Sequence, residues 1–185
     1  RPLTFSQKRG MHEDPFTLII ENSNSESEVF ISLDGTTPSK LYTAPVRISG
    51  NTIVRAEVRR KGYKSPRTQT HSYLYVEDTM SASNMNRTIT GNSRYIDRLQ
   101  KGMTDLPIVS IAVPELPDDW NEREASVEFF LSGANPLQVN AGIKRFGGAW
   151  TEFRKKNYRL KFRPEYGARK LELPLFEGFD HGIMA

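Results

Sequence analysis

Apolar and polar residues alternate with a period of two in short segments of the first part of the chain. The four clearest segments are residues 16–21, 28–33, 52–59 and 70–76. In the third, the alternation predicts that Val54 and Ala56 face a core and that Arg55 faces water. Turn signals such as Asp34-Gly35 separate the segments at intervals of about ten residues, as in small antiparallel sandwiches. We therefore predict an immunoglobulin-like β-sandwich over residues 1–78.

The next segment changes from strand patterns to polar residues. Residues 78–94 are rich in Ser, Asn and Thr, which is typical of a surface linker. Asn92 or Ser93 can cap a short helix that ends at Gly102, with an apolar side formed by Tyr95, Ile96 and Leu99. We predict that residues 79–105 are a linker with this short helix.

Residues 106–185 return to strand patterns. An apolar run over 106–113 predicts a buried strand, and residues 125–131 and 137–146 predict a hairpin. Residues 158–162 alternate so that basic side chains point outward, and residues 170–174 predict a short strand with Leu171 and Leu173 inward. The whole chain is thus expected to be mainly β, a sandwich followed by a strand-rich α+β unit. We expect the chain to be a fragment, because residues 176–185 carry apolar and turn residues without a closing element.

Composition narrows the function classes. The chain has 26 basic and 22 acidic residues in 185, a mixed surface with a net charge of +4, so nucleic acid is not an expected partner. It has no cysteine, which excludes disulfides, thiol catalysis and thiolate metal sites. The histidines lack ligand spacing, so no metal site is expected, and no apolar run is long enough to span a membrane. Any signal peptide is expected to have been removed or to lie outside this sequence.

The stretch 142–162 is the main candidate binding site. Gly147 and Gly148 allow a tight turn whose backbone N–H groups could face an anion. The cations that could then meet phosphates or another polyanion are Arg154, Lys155, Lys156, Arg159 and Lys161. Lys156 or Lys161 is the candidate for a nucleotide lysine. The alternative is a purely structural one, in which basic residues protect an exposed strand against aggregation and bind no ligand.

Aromatic residues near this stretch admit two interpretations. Trp150, Phe153 and, in an earlier loop, Trp120 could stack against sugar rings, or they could cover the edge of a core. Asp118 and Asp119 could hold a hard cation, although paired acids in a proline-bounded loop are usually solvated. No pair of carboxylates suits glycosidase chemistry, and no catalytic residue is assigned.

An ordered series of short motifs in the first domain resembles a known module. It comprises Phe5-Ser-Gln-Lys-Arg-Gly10, Pro15-Phe-Thr-Leu18, Leu33-Asp-Gly-Thr-Thr-Pro38, Tyr42-Thr-Ala-Pro45, Ile48-Ser-Gly50, Val54-Arg-Ala56, Gly62-Tyr63 and Thr70-His-Ser-Tyr73. The series resembles the immunoglobulin-like module found at the C-terminus of chitobiases and in fibronectin-III-associated repeats. The resemblance implies a spacer in a secreted or cell-surface bacterial protein, with the periplasm as a further location.

The second domain resembles the N-terminal portion of the CotH-type, spore-coat kinase-like family. The matching motifs are Leu106-Pro-Ile-Val-Ser-Ile111, Ala125-Ser-Val-Glu-Phe-Phe130, Gln138-Val-Asn-Ala-Gly-Ile143, Gly147-Gly148, Lys155-Lys-Asn-Tyr-Arg-Leu-Lys-Phe162 and Tyr166-Gly167. The resemblance implies an incomplete kinase-like domain whose longer parent would use ATP and a divalent metal. The family's acidic catalytic and metal-binding motifs lie downstream of this sequence, so the fragment itself is expected to need no cofactor and to be inactive.

Three functions stay open from the sequence. The first is a non-catalytic N-terminal part of a secreted CotH-like protein. The second is a module that binds extracellular polysaccharide, and the third is a structural surface or assembly module. The expected partners are accordingly a protein or a polysaccharide at the cell surface.

Overall fold

The computed structural model describes residues 2–131, 133–148, 156–173 and 183–184. The chain is mainly β, as predicted, and it divides into two compact units. The first unit is Arg1–Ser110 with Glu128–Leu137, and the second is Ile111–Val127 with Gln138–Ala185. The domain boundaries predicted at residues 78 and 105 stay a prediction.

Nine short strands precede the first helix. They are β1 (Thr4–Phe5), β2 (Gly10–Met11), β3 (Phe16–Leu18), β4 (Ile20–Glu21), β5 (Glu28–Ser32), β6 (Lys40–Leu41), β7 (Val46–Ile48), β8 (Thr52–Arg59) and β9 (Gln69–Leu74). One sheet has the order β2-β9-β8-β5-β6, in which only the β2–β9 pair is parallel. Two small antiparallel pairs, β3 with β7 and β1 with β4, complete the sandwich. The predicted strand over 52–59 is confirmed at both ends.

The sandwich core forms where the inward positions of these strands meet. Leu18, Ile48, Val54 and Ala56 are each no more than 1% exposed within one apolar cluster. The prediction that Arg55 faces water is wrong, because Arg55 is only 6% exposed. Its guanidinium donates to the carbonyl oxygens of the turn at residues 35 and 36, at 3.4 Å each, so the turn replaces water as its partner.

Three helices follow the sandwich, namely α1 (Val76–Ser81), α2 (Arg87–Thr90) and α3 (Ser93–Asp105). The segment predicted as a surface linker, residues 78–94, also contains α2 and part of α1, two short helices that the sequence did not predict, because caps such as Asn86 on α2 allow short helices in a polar sequence. Asn92 caps α3 as predicted, and its Oδ1 accepts from the N–H of Arg94 at 2.9 Å. Helix α3 continues past Gly102 to Asp105, whose carboxylate pairs with Lys101 one turn earlier.

A second sheet contains β10 (Ile108–Ala112), β11 (Arg123–Phe130), β12 (Leu137–Arg145) and β13 (Tyr158–Lys161), in that order. The strands of the predicted hairpin, β11 and β12, are neighbours, which confirms the prediction. The prediction that residues 106–113 are buried is wrong, because Val109 and Ile111 are 47% and 38% exposed. Strand β10 lies at the edge of the sheet and alternates between a covered and an open face.

A small antiparallel pair ends the described chain. It consists of β14 (Leu171–Glu172) and β15 (Ile183–Met184). Leu171 and Leu173 are 3% and 9% exposed, which confirms that both side chains point inward.

Candidate functional site

Strands β12 and β13 pair antiparallel in a register that places basic residues opposite each other. Lys144 is the partner of Arg159, and Gly142 is the partner of Lys161. Because side chains alternate between the two faces of a strand, these four residues share one face. Ile143, which is 1% exposed, belongs to the opposite face. We call the surface formed by Lys144, Arg159, Lys161 and the nearby Phe146 the basic face.

Lys144 and Arg159 form a like-charged cross-strand pair. Directly opposite residues have their Cβ atoms about 5 Å apart, and like charges at such positions destabilise a sheet. No carboxylate pairs with either residue in the part of the chain that the structure describes. The fold thus holds two cations together on a solvent-facing strand pair, with Arg159 exposed.

Phe146 fixes the orientation of the Arg159 guanidinium. Its ring is 46% exposed, and the Arg159 Cζ atom lies 3.7 Å from the ring centroid. The backbone N–H of Phe146 donates to the Asn157 carbonyl at 2.9 Å, which extends the strand pairing by one residue. A stacked guanidinium keeps its N–H groups at the ring edge, where they can bind a carboxylate or sulfate with two parallel hydrogen bonds.

Lys161 has a carboxylate partner, unlike the other two cations. Its Nζ lies 3.4 Å from Glu122 Oε2, and the same oxygen is 3.3 Å from Arg163 Nη2. Glu122 can approach Lys161 because Gly142 has no side chain. A Cβ atom on residue 142 would lie 2.2 Å from Glu122 Oε1, which is too close. Burial and then the hydrogen bond with Glu122 raise the pKa of the Tyr166 phenol, which packs against the same glycine. The charge of Lys161 is therefore partly neutralised within the protein.

The predicted anion-binding turn lies at the end of this face. Gly147 has φ of 108°, a conformation that favours glycine, whereas Gly148 is in open space. Of the other predicted cations, Lys156 is exposed next to β13, while Arg154 and Lys155 lie outside the described residues. The predicted sugar-stacking residues Trp150 and Phe153 also lie outside the described residues.

Two site residues were missed by the sequence reasoning. Phe146 directly precedes the double glycine and Lys144 lies two positions before Phe146, yet neither was assigned a role. Only the strand register, which pairs Lys144 with Arg159, shows that residues fifteen positions apart form one surface.

Trp120 is exposed in an early loop of the second unit, and its role in sugar stacking stays a prediction. Its ring is 59% exposed, and the Arg145 Cζ atom lies 5.9 Å from its centroid. The neighbouring Asp119 carboxylate accepts hydrogen bonds from the backbone and side-chain amides of Asn121, at 2.9 and 2.6 Å, which lower its pKa. Arg123 also lies 3.3 Å from this carboxylate. Among the described residues, no group of three or more acids or histidines could hold a metal ion.

The first unit contains a buried ion pair that the sequence reasoning did not identify. Glu128 is 1% exposed, and its Oε1 atom lies 3.2 Å from Arg9 Nη1. Ser72 donates its backbone N–H to Oε1 at 3.2 Å and its hydroxyl to Oε2, and that hydroxyl lies 2.7 Å from the Ser110 hydroxyl. Burial raises the pKa of the Glu128 carboxyl, although Ser72 and Arg9 partly offset it. Glu128 has a structural role, because it connects β11 to Ser72 on β9 and to Arg9, which directly precedes β2.

His71 lies beside this pair and is neutral. Burial, followed by the charge of Arg9, lowers the pKa of His71 to about 3. The imidazole stacks on the Phe5 ring with a centroid separation of 3.7 Å. Its role is therefore packing of the sandwich rather than proton transfer near neutral pH.

Comparison with known proteins identifies the sandwich. Residues 18–73, which run from the end of β3 to β9, match the model of the family described as Fn3 associated. This match supports the first resemblance over those residues. No curated protein and no solved structure matches the chain, so the resemblance to CotH-type proteins has no support there. No helix in the described part of the chain is long and apolar enough to cross a membrane.

Proposed function

We propose that this chain is a non-catalytic part of a secreted or cell-surface bacterial protein and that its basic face binds an anionic polysaccharide. The Fn3-associated match over residues 18–73 supports an extracellular setting. In this proposal the sandwich acts as a spacer, and the second unit contacts the ligand.

The observation that carries the proposal is the pairing of Lys144 with Arg159. Two cations held directly opposite each other cost stability unless an anion lies between them or above them. A carboxylate or sulfate on the ligand would provide that anion. A purely structural spacer would not need two opposed cations at these positions, because a Glu or Thr in place of Lys144 or Arg159 would stabilise the same sheet better.

The shape of the basic face favours an extended, repeating anion over a single phosphate. The face follows two strands from Lys161 to Phe146, and strand residues that share a face lie about 7 Å apart. Lys161 is already paired with Glu122, so the anionic groups would sit at Lys144 and Arg159. The half-exposed ring of Phe146 adds an apolar contact for a sugar ring next to these charges.

Backbone amide shifts in a ¹⁵N-labelled sample test the location of the site. Titration with oligogalacturonate, a carboxylated chain, should shift amides within residues 142–148 and 157–161. Neutral dextran oligomers of the same length should leave these amides unchanged. Shifts concentrated in the sandwich strands, or equal shifts with dextran, would refute the proposed site.

Nucleotide binding by a kinase-like parent protein is the second candidate, and the Lys161–Glu122 pair favours it. Protein kinases use a lysine on a sheet strand, paired with a glutamate, to hold nucleotide phosphates, and Lys161 on β13 lies 3.4 Å from Glu122. This candidate predicts that ATP with Mg²⁺ shifts the amide of Lys161 and that Lys161→Ala abolishes the shift. No shift at Lys161 on titration with ATP and Mg²⁺ would refute it.

A further inference from the structure

The first unit contains a cavity of about 590 Å³ that is separate from the basic face. It lies between the loop after β2, the start of α1 and the second half of α3. Its lining includes His12, Glu13, Tyr75, Glu77, Gln100 and Thr104. The volume falls within the range of about 300–1,000 Å³ that is typical of sites for small molecules.

Most of the cavity lining lies outside the segment that matches the Fn3-associated family. Of the residues that line it, only Ser49 falls within residues 18–73, the segment that matches the family. The others come from the chain before β3 and from the helices after β9. The concave site is thus formed mainly by segments that precede β3 and follow β9.

The charges in the cavity are unbalanced. Asp78 also lines it, but its carboxylate accepts from the Asn51 backbone N–H at 2.8 Å. Lys101, the cation in the lining, is paired with Asp105 at 2.5 Å outside the cavity. Glu13 and Glu77 have no ion-pair partner among the residues that the structure describes. The lining is therefore negative and would favour a cationic group.

The other lining groups determine what else the ligand carries. Tyr75 belongs to the sandwich core and is 7% exposed, so a small part of its ring faces the cavity as an apolar surface. His12 Nε2 lies 2.9 Å from the Lys8 carbonyl oxygen, so this nitrogen donates its N–H to that oxygen. Gln100 and Thr104 add an amide and a hydroxyl, which can hydrogen-bond to sugar hydroxyls.

We propose that this cavity binds an amino sugar with a free ammonium group. The ammonium would lie between the carboxylates of Glu13 and Glu77, the ring would contact Tyr75, and the hydroxyls would meet Gln100 and Thr104. The proposal does not depend on the ligand of the basic face, because the two sites share no residue.

Amide shifts and affinities with three small probes test the proposal. D-Glucosamine should shift amides within residues 12–15, 75–78 and 100–104, which surround the cavity. N-Acetyl-D-glucosamine has the same ring without the ammonium and should bind at least about tenfold more weakly, because its amide cannot form charge-assisted hydrogen bonds. Equal binding of the two sugars, or no shift around the cavity, would overturn the proposal. Ethanolamine carries one ammonium and a hydroxyl without a sugar ring, and tighter binding of this probe than of D-glucosamine would overturn the assignment to a sugar.

Charge-neutral variants separate the two carboxylates from the general charge of the protein. Glu13→Gln with Glu77→Gln should weaken D-glucosamine binding by about tenfold through the loss of two charge-assisted contacts. Glu21→Gln with Glu124→Gln removes the same charge at exposed positions outside the cavity and should leave the affinity unchanged. Equal effects of the two double variants would contradict the proposed contacts. Thr104→Trp, which fills the cavity without a change in charge, should also abolish the shifts.

Discussion

Replacing Arg9 with methionine should lower the free energy of unfolding of the first unit by about 3 kcal/mol at neutral pH. This value is at the low end of the range observed when one partner of a buried ion pair is removed. The variant leaves the carboxylate of Glu128, which is 1% exposed, without its cation. At the 3.2 Å separation and an effective dielectric constant of about 20, the lost attraction is about 5 kcal/mol. The expected loss is smaller, because Ser72 still donates two hydrogen bonds to Glu128 and Glu128 can take up a proton.

The loss should also depend on pH with a defined sign. Burial raises the pKa of Glu128 in the folded state above its value in the unfolded state. Between these two pKa values the folded state binds more protons than the unfolded state, so the free energy of unfolding falls as the pH rises. Arg9 opposes this effect because its charge lowers the pKa of Glu128. Without Arg9 the pKa rises further, and the stability difference between wild type and variant should shrink as the pH falls toward the unfolded pKa of the glutamate.

Urea unfolding followed by circular dichroism, at neutral pH and at about pH 5, measures both effects. Arg94→Met is the matched control, because Arg94 is exposed on α3 and its loss should change the free energy of unfolding by less than about 0.5 kcal/mol. The reasoning is refuted if Arg9→Met costs no more than Arg94→Met, or if the cost grows on acidification.

Three further variants test local features. Gly142→Ala should cost about 1–3 kcal/mol in urea unfolding, because its Cβ would overlap Glu122, whereas Gly148→Ala in open space should cost less. Glu122→Gln should raise the affinity for oligogalacturonate by about twofold in calorimetry, since it releases Lys161; unchanged affinity would contradict this. Asn92→Ala should lose about 1 kcal/mol through the α3 cap, and Asn92→Ser should restore most of it; an equal loss in both would contradict the cap.

Local patterns predicted much of the fold. The period-two alternation over residues 52–59 defined β8, and the Asn92 side chain defined the start of α3, because each depends on neighbours in sequence. The same reasoning failed for Arg55 and for residues 106–113. In both cases burial depends on what the rest of the chain places nearby, namely the turn at residues 34–36 and the position of β10 at a sheet edge.

The candidate site was predicted in part. The cluster of cations near the double glycine was evident in the sequence, and Arg159 is indeed exposed on a strand. The sequence could not show that Lys161 has a carboxylate partner and that Arg159 has none among the described residues. That difference depends on Glu122, which lies thirty-nine positions before Lys161 and packs against Gly142. The buried Arg9–Glu128 pair was missed for the same reason, since its partners are far apart in the sequence.

The affinity for polygalacturonate of Lys144→Ala with Arg159→Ala, measured by isothermal titration calorimetry, tests the central claim most directly. Each exposed ion pair contributes up to about 1 kcal/mol, so we expect the affinity to fall by about tenfold. The same variant should be slightly more stable, because it removes a like-charged cross-strand pair. Arg94→Ala with Arg98→Ala removes the same charge from α3 and should reduce the affinity by less than about twofold. Equal losses in the two double variants would show that net charge alone binds the polysaccharide and would contradict a site on the basic face.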